Sequence, residues 1–189
     1  MKKILLAGFI ATIPCMAIAE QDTPDWNVYI GSNIGISGSD IKVHNEDFFD
    51  FGGVYNFELG ARYNKRLRLA LNYQSRAEVS ELFQILFGHT ISVTNNALRV
   101  NAYYDYVSLR VFSMYIGAGI GADKYHYTIT DRINDITKSK HGFTFTGGAM
   151  TGISFKMGRF QLDLGGAFDY IAEPRMFSYG PNIGLRYNF

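Results

Sequence analysis

The sequence predicts an all-β chain, folded as an eight-stranded antiparallel up-and-down transmembrane β-barrel with short periplasmic turns and longer outer loops. Three observations predict it. The chain opens on a stretch with the plan of a secretory signal. Eight later segments alternate between apolar and polar residues, as strands do when successive side chains point to opposite faces. The last of these segments ends on an aromatic residue, Phe189.

Residues 1–19 are predicted to be a cleaved signal peptide, which leaves residues 20–189 as one barrel domain. Lys2 and Lys3 precede an apolar stretch, and the small residues Ala17 and Ala19 suit signal peptidase. A membrane-spanning anchor is the alternative, but it needs about 20 apolar residues and this stretch is shorter. Cys15 raises a lipoprotein alternative, for which the preceding proline is a poor neighbour.

The alternation defines the strands in chain order. In each segment, aromatic and aliphatic residues recur at every second position, and small, polar or charged residues stand between them. A segment of about ten residues suits a tilted strand that crosses an apolar band roughly 25 Å tall. Aromatic residues gather near segment ends, where interfacial girdles are expected. The predicted strands are residues 26–36, 55–63, 66–74, 98–106, 112–123, 143–155, 160–170 and 179–189.

The connections between these strands alternate in length. Short turns next to the periplasm and longer outer loops are typical of outer-membrane barrels, and an even strand number then places both termini in the periplasm. A soluble lipocalin-like barrel is the structural rival. Its apolar face would point inward, whereas here the polar face carries almost all the charge. The predicted short turns lie near residues 64–65, 107–108 and 157–159, and the longer segments are residues 37–52, 75–92, 124–142 and 171–178.

The chain resembles the opacity-protein and small outer-membrane-protein-A-type barrels. The residues that carry this likeness are 115–121 (Y-I-G-A-G-I-G), 162–165 (L-D-L-G) and 185–189 (L-R-Y-N-F). The resemblance implies a Gram-negative outer-membrane location, with lipid and lipopolysaccharide around the barrel. It also implies that Tyr187 and Phe189 belong to a carboxy-terminal signal for the barrel-assembly machinery. Many barrels of differing function share these motifs, so they indicate the fold rather than the role.

Charged residues on the polar face are predicted to fill the lumen. Eight strands leave an interior just wide enough for side chains, and buried charges need partners. We therefore expect the carboxylates of this set to pair with some of its arginines, which favours a structural plug over a gated small pore. The predicted network comprises Glu58, Arg62, Arg68, Arg99, Asp163, Asp169 and Arg186.

The sequence predicts no catalytic, cofactor or metal residues, and no enzyme. Glycines 117, 119 and 121 superficially suggest a nucleotide loop, but that fingerprint needs a following helix; here they are expected to make room inside the barrel. A net charge of +1 gives no reason to expect nucleic acid. The four histidines fall in or beside predicted loops without close metal-ligand spacing, and they are His44, His89, His126 and His141.

The outer loops are the predicted functional parts, because loops on a rigid scaffold often carry recognition. Phe48, Phe49, Phe83 and Phe87 are candidate loop contacts, since exposed apolar clusters can mark binding surfaces. The alternative is that they pack on one another or extend the barrel. The sequence thus favours a surface structural or interaction barrel, adhesin-like, that contacts a host or surface ligand. A narrow porin-like channel is the alternative, and a lipid-modifying enzyme is less favoured.

Overall fold

The computed structural model describes residues 26–43, 46–64, 66–79, 89–131, 136–173 and 175–189. Each strand pairs antiparallel with its neighbours in sequence, and the last strand pairs with the first to close a barrel. No helix in these ranges is long and apolar enough to cross a membrane. The strands are β1 Trp26–Val43, β2 Glu46–Tyr63, β3 Leu67–Val79, β4 His89–Ser108, β5 Phe112–Asp131, β6 Ile136–Met157, β7 Phe160–Ile171 and β8 Arg175–Asn188.

The barrel is apolar outside and polar inside. Ile36 is 66% exposed and Phe143 is 79% exposed, whereas Arg68, on the inward face, is 1% exposed. This arrangement follows from the two-residue period, because each strand carries its apolar residues on one face only. An apolar outer belt around a polar interior is the reverse of a water-soluble core, and it is the distribution that a lipid bilayer stabilises.

The strands are longer than the sequence predicts. β5 has 20 residues and β6 has 22, although about ten cross a bilayer. The predicted loops at residues 37–52 and 124–142 are therefore wrong in large part, since strand pairing continues to Val43 and Glu46 in the first and to Asp131 and Ile136 in the second. The apolar alternation stops at the edge of the belt, whereas backbone hydrogen bonds can continue with polar side chains.

Short turns join the strands at one end of the barrel, which we call the turn end; the opposite end is the outer end. Asn64 follows β2 with a φ of 48°, and Gly158 follows β6 with a φ of 66°. Both residue types tolerate this left-handed conformation. The turn predicted at residues 107–108 lies slightly later, where the Leu109 N–H donates to the Phe112 carbonyl at 2.8 Å.

Candidate functional site

Arg186 joins two carboxylates near the turn end of the lumen. Its guanidinium contacts Asp163, and its Nε lies 3.7 Å from Glu58 Oε1. Gln161 extends the group, because its Oε1 accepts hydrogen bonds from Arg186 Nη1 at 3.2 Å and from Arg62 Nη2 at 2.7 Å. Only 2% of Arg186 is exposed. A guanidinium so deeply buried depends on these partners, since an unpaired buried charge is strongly destabilising.

Arg68 occupies the next layer, between two aromatic rings. Its Cζ lies 4.7 Å from the ring centroids of both Tyr103 and Tyr115, within cation–π range. Its Nη2 donates to Asp105 Oδ1 at 2.9 Å. Tyr103 in turn donates its hydroxyl proton to Glu58 Oε2 at 3.0 Å. The hydroxyl therefore links this layer to the carboxylates around Arg186.

Asp169 gathers three donors nearer the outer end. Its Oδ1 accepts from Arg99 Nη1 at 2.6 Å, and its Oδ2 accepts from Arg76 Nη2 at 2.7 Å and from Gln74 Nε2 at 3.1 Å. Gln74 also accepts from Arg99 Nη1 at 3.0 Å, so the four side chains form a closed set. All four are buried. The set spans three strands, β3, β4 and β7, and ties them across the lumen.

A small polar cavity of about 40 Å³ is lined by residues of all three groups, among them Arg186, Arg68 and Asp169. One buried water needs about 10–15 Å³ on this measure. The cavity is therefore sized for roughly three water molecules.

An apolar cluster closes the interior above the Asp169 set, at the outer end. Its five side chains come from five different strands, and each is at most 3% exposed. We call this cluster the apolar seal. The seal consists of Ile41, Val93, Tyr125, Ile171 and Met176. Because these residues face inward on strands that run past the belt, the seal supplies a small hydrophobic core beneath the projecting hairpins.

The structure places all seven predicted lumenal residues on the inward face. Asp169 meets Arg99, and Glu58 and Asp163 both meet Arg186. The two remaining arginines find partners outside the predicted set. Arg62 reaches Gln161, and Arg68 reaches Asp105, which lay outside the predicted set. The prediction also missed Arg76, Gln74 and the tyrosines at positions 29, 103 and 115, although their parity along the strands would have indicated them.

Tyr187 and Phe189, predicted as an assembly signal, lie beside the start of β1. Tyr187 packs edge-on against Phe160 and Phe189, with ring centroids 5.1 Å away in each case. The backbone N–H of Phe189 donates to the Val28 carbonyl at 3.1 Å. The aromatic end of β8 is thus held at the turn end, at the junction where the barrel closes.

The candidate loop contacts are distributed differently from the prediction. Phe49 lies within β2 and not in a loop, and its ring packs edge-on against Phe51 at 4.9 Å. It also covers Gly38, where an added Cβ would lie 3.0 Å from Phe49 Cζ. Phe48 lies on β2 with its side chain outside the described part of the structure. Phe83 and Phe87 lie outside the described residues altogether.

Two histidines that are distant in sequence are brought together. His126 on β5 stands directly opposite His141 on β6, with ring centroids 6.5 Å apart and planes inclined by 31°. Both side chains are exposed. His44 and the side chain of His89 lie outside the described residues. Within the described ranges, no group of three or more histidine, cysteine or carboxylate residues could hold a metal ion.

A family model described as outer membrane protein beta-barrel domain matches residues 5–189. The chain belongs to this family. It is therefore a protein of the bacterial outer membrane, with an eight-stranded fold that this family's solved neighbours share. In an outer-membrane barrel the short turns face the periplasm, so the outer end described above faces the cell exterior.

Solved structures of similar fold come from distant outer-membrane proteins. Neisserial surface protein A matches with a TM-score of 0.62 at 16% identity, covering 86% of this chain and 97% of that one. The attachment invasion locus protein Ail of Yersinia pestis, solved with the heparin analogue sucrose octasulfate, matches with a TM-score of 0.57 at 14% identity, covering 86% and 99%. At such identities the likeness shows the fold alone.

A sequence relative comes from Rickettsia conorii and is named "Putative adhesin". It is 28% identical to this outer-membrane barrel over 57% of this chain and 51% of the relative. The chain thus spans about half the length of the curated relative that it matches.

Proposed function

We propose that this outer-membrane barrel is a non-enzymatic surface protein of the adhesin type, which binds host or other surface ligands through its extracellular hairpins. The observation that carries the proposal is the length of β5 and β6. Their pairing continues to Asp131 and Ile136, well past the apolar belt, which ends near Phe143. A hydrogen-bonded ribbon that projects from the membrane presents side chains in fixed positions, as recognition requires.

The apolar seal supports this role because it gives the projecting strands their own buried core. Tyr125 is 3% exposed and contributes to the seal from β5, the same strand that continues outward. His126 and Thr128 follow it on the same strand and lie on the opposite, outward face. The name of the Rickettsia conorii relative points in the same direction.

The filled lumen gives less support to a narrow porin-like channel. Paired arginines and carboxylates cross the interior at two heights, and the apolar seal follows at the outer end. An ion would have to break these pairs and then pass the largely apolar seal, at a large desolvation cost. We therefore assign the network a structural role, as the plug that holds the barrel together.

The proposed partners differ between the parts of the molecule. Outer-membrane lipid and lipopolysaccharide would contact the apolar belt, and the barrel-assembly machinery would contact Tyr187 and Phe189 during insertion. A surface ligand would contact the extracellular hairpins. The apolar belt and the aromatic end of β8 support the first two assignments.

Shortening the projecting ribbon tests the adhesin proposal. One strain would carry the intact barrel, and a second would carry a variant in which residues 129–138 are replaced by a short Gly/Ser turn. This cut keeps Tyr125 and therefore the apolar seal. We expect binding of intact cells to immobilised matrix proteins and to cultured host cells to fall to the level of cells without the barrel.

A change of similar kind at the opposite end serves as the matched control. Replacing Leu109, Arg110 and Val111 with Gly/Ser alters the connection between β4 and β5 at the turn end. Cells with this variant should bind like the wild type, and both variants should keep the heat-dependent gel mobility of a closed barrel. Full binding by the shortened ribbon, or no binding by the wild type, would refute the assignment to this hairpin.

A further inference from the structure

We propose that His126 and His141 form a binding site for one divalent transition-metal ion, on the outward face of the β5–β6 ribbon above the membrane. The two residues are opposite each other in the antiparallel register. Residues in this relation have Cβ atoms about 4.5–5.5 Å apart, so their side chains leave the sheet side by side. Two histidines that are fifteen positions apart in sequence are therefore neighbours in space.

The two rings lie close enough to be brought onto one ion. An imidazole nitrogen binds a metal at about 2.0–2.1 Å, so two imidazoles at adjacent coordination positions have ring centroids roughly 4.5–5.5 Å apart. The observed separation is 6.5 Å, so the rings must approach each other before both nitrogens bind one ion. Both side chains are exposed, so a small rotation about the side-chain bonds can bring the nitrogens closer.

The surroundings select the class of metal. Thr128 Oγ1 lies 3.5 Å from His126 Nε2, and Thr94 stands opposite His126 on β4. These hydroxyl neighbours and water can complete the coordination. The pair supplies imidazole ligands rather than carboxylates, and imidazole suits Cu²⁺, Ni²⁺ and Zn²⁺ whereas Ca²⁺ and Mg²⁺ prefer oxygen ligands. Among the former ions, Cu²⁺ should bind most tightly.

A bound ion would connect the two arms of the ribbon. β5 and β6 are held at this height by backbone hydrogen bonds, and the ion adds a link between their side chains. Lys124 lies two positions before His126 on the same face and opposite Phe143. The positive charge of Lys124 disfavours a bound cation and favours a bound anion. Replacing Lys124 with a neutral residue therefore distinguishes a cation site from an anion site.

The test uses the whole chain, refolded in detergent micelles, with Cu²⁺ as the probe. Electron paramagnetic resonance at one equivalent should show nitrogen coordination by two imidazoles, and a titration should give one site. His126→Ala and His141→Ala should each weaken this site at least about tenfold. The double variant should lose the two-imidazole spectrum. Because imidazole must be deprotonated to bind, affinity should also fall in acid.

Three further variants serve as controls. His44→Ala and His89→Ala should leave the affinity and the spectrum unchanged, and Lys124→Gln should preserve or raise the affinity. Each variant should keep the heat-dependent gel mobility of the folded barrel, so that lost binding reports a lost ligand. The proposal is overturned if the two-imidazole spectrum survives in the His126/His141 double variant, if it depends on His44 or His89, or if the wild type gives none.

Discussion

Asp169 is the residue whose loss should disturb the lumen most, because Arg76, Arg99 and Gln74 all donate to it. Asp169→Ala leaves two buried guanidinium groups without their carboxylate. Removing one partner of a buried ion pair costs about 3–5 kcal/mol. We expect a loss of that size in the free energy of unfolding, measured by urea titration of the barrel in lipid vesicles.

Two further variants serve as reference points for this measurement of stability. Asp169→Asn keeps an acceptor oxygen but loses the charge, and it should fall between the wild type and Asp169→Ala. Asp40→Ala removes an exposed carboxylate from β1 and should change stability by no more than about 0.5 kcal/mol. If Asp169→Ala were as stable as Asp40→Ala, the network would not be a source of stability.

The exposed side chain of Glu173 makes the stability of the protein depend on pH. The hydrogen bond and positive charge of Lys140, with a smaller contribution from a Tyr125 hydrogen bond, hold the pKa of the Glu173 carboxyl below its ordinary value of 4.5. A depressed carboxyl pKa in the folded state means that this contact stabilises the protein above the unfolded-state pKa. The contribution is lost as the pH falls through the folded-state value.

The measurement is an NMR titration of the Glu173 side chain, which should show a midpoint below 4.5. Lys140→Gln should move that midpoint upward, towards the ordinary value, because the cationic donor is gone. An unchanged midpoint in Lys140→Gln would contradict the proposed cause. The side chains are both exposed, so solvent screens the contact and we expect only a small change in overall stability.

At the scale of elements, the glycines of β5 are matched to the large side chains of β4. Gly117, Gly119 and Gly121 pair with Tyr103, Asn101 and Arg99 in the register. A Cβ at Gly119 would lie 1.8 Å from Asn101 Oδ1 and 2.8 Å from its Cγ. The glycines therefore leave the space into which β4 side chains extend across the lumen.

Gly119→Ala should for this reason destabilise the barrel by about 1–3 kcal/mol, the usual cost of overpacking. Gly53→Ala is the matched control, since nothing lies within 4 Å of the Cβ it would add. Equilibrium unfolding in lipid vesicles should separate the two variants. Equal stability of both would mean that β4 side chains can rearrange without loss, against the packing described here.

The alternation in the sequence predicted the faces of all eight strands but not their lengths. Hydropathy reports the contact with lipid, and that contact ends where the belt ends. The outer part of β5 carries Lys124, His126 and Thr128 on its outward face. These polar residues do not continue the apolar alternation that identifies a strand in the sequence, yet their backbones remain paired with β6. Predicted loops became strands for this reason.

The same limit applied to the candidate sites. Parity predicted that Arg68 points inward, but its partner depends on which residues of other strands stand at the same height. Asp105 reaches that height from β4, and sequence spacing does not encode it. His126 and His141 were likewise invisible as a pair until the β5–β6 register placed them opposite each other.

At the scale of the whole molecule, the filled interior predicts a barrel that does not conduct ions. Two ionic layers and the apolar seal lie in series along the lumen. Reconstituted into planar bilayers, the protein should show no steady ion current, while a general porin in the same bilayer conducts. Reproducible single-channel current steps from the pure protein would contradict the structural plug and support the narrow porin-like channel instead.

The apolar seal also divides the molecule into two parts whose sequences can change under different structural constraints. Ile41, Val93, Tyr125, Ile171 and Met176 hold five strands together at the level where the barrel leaves the membrane. Substitutions beyond that level should not disturb the ionic layers, because the seal lies between them. The exposed tips can therefore diversify in sequence, while the same inherited scaffold continues to carry each new tip.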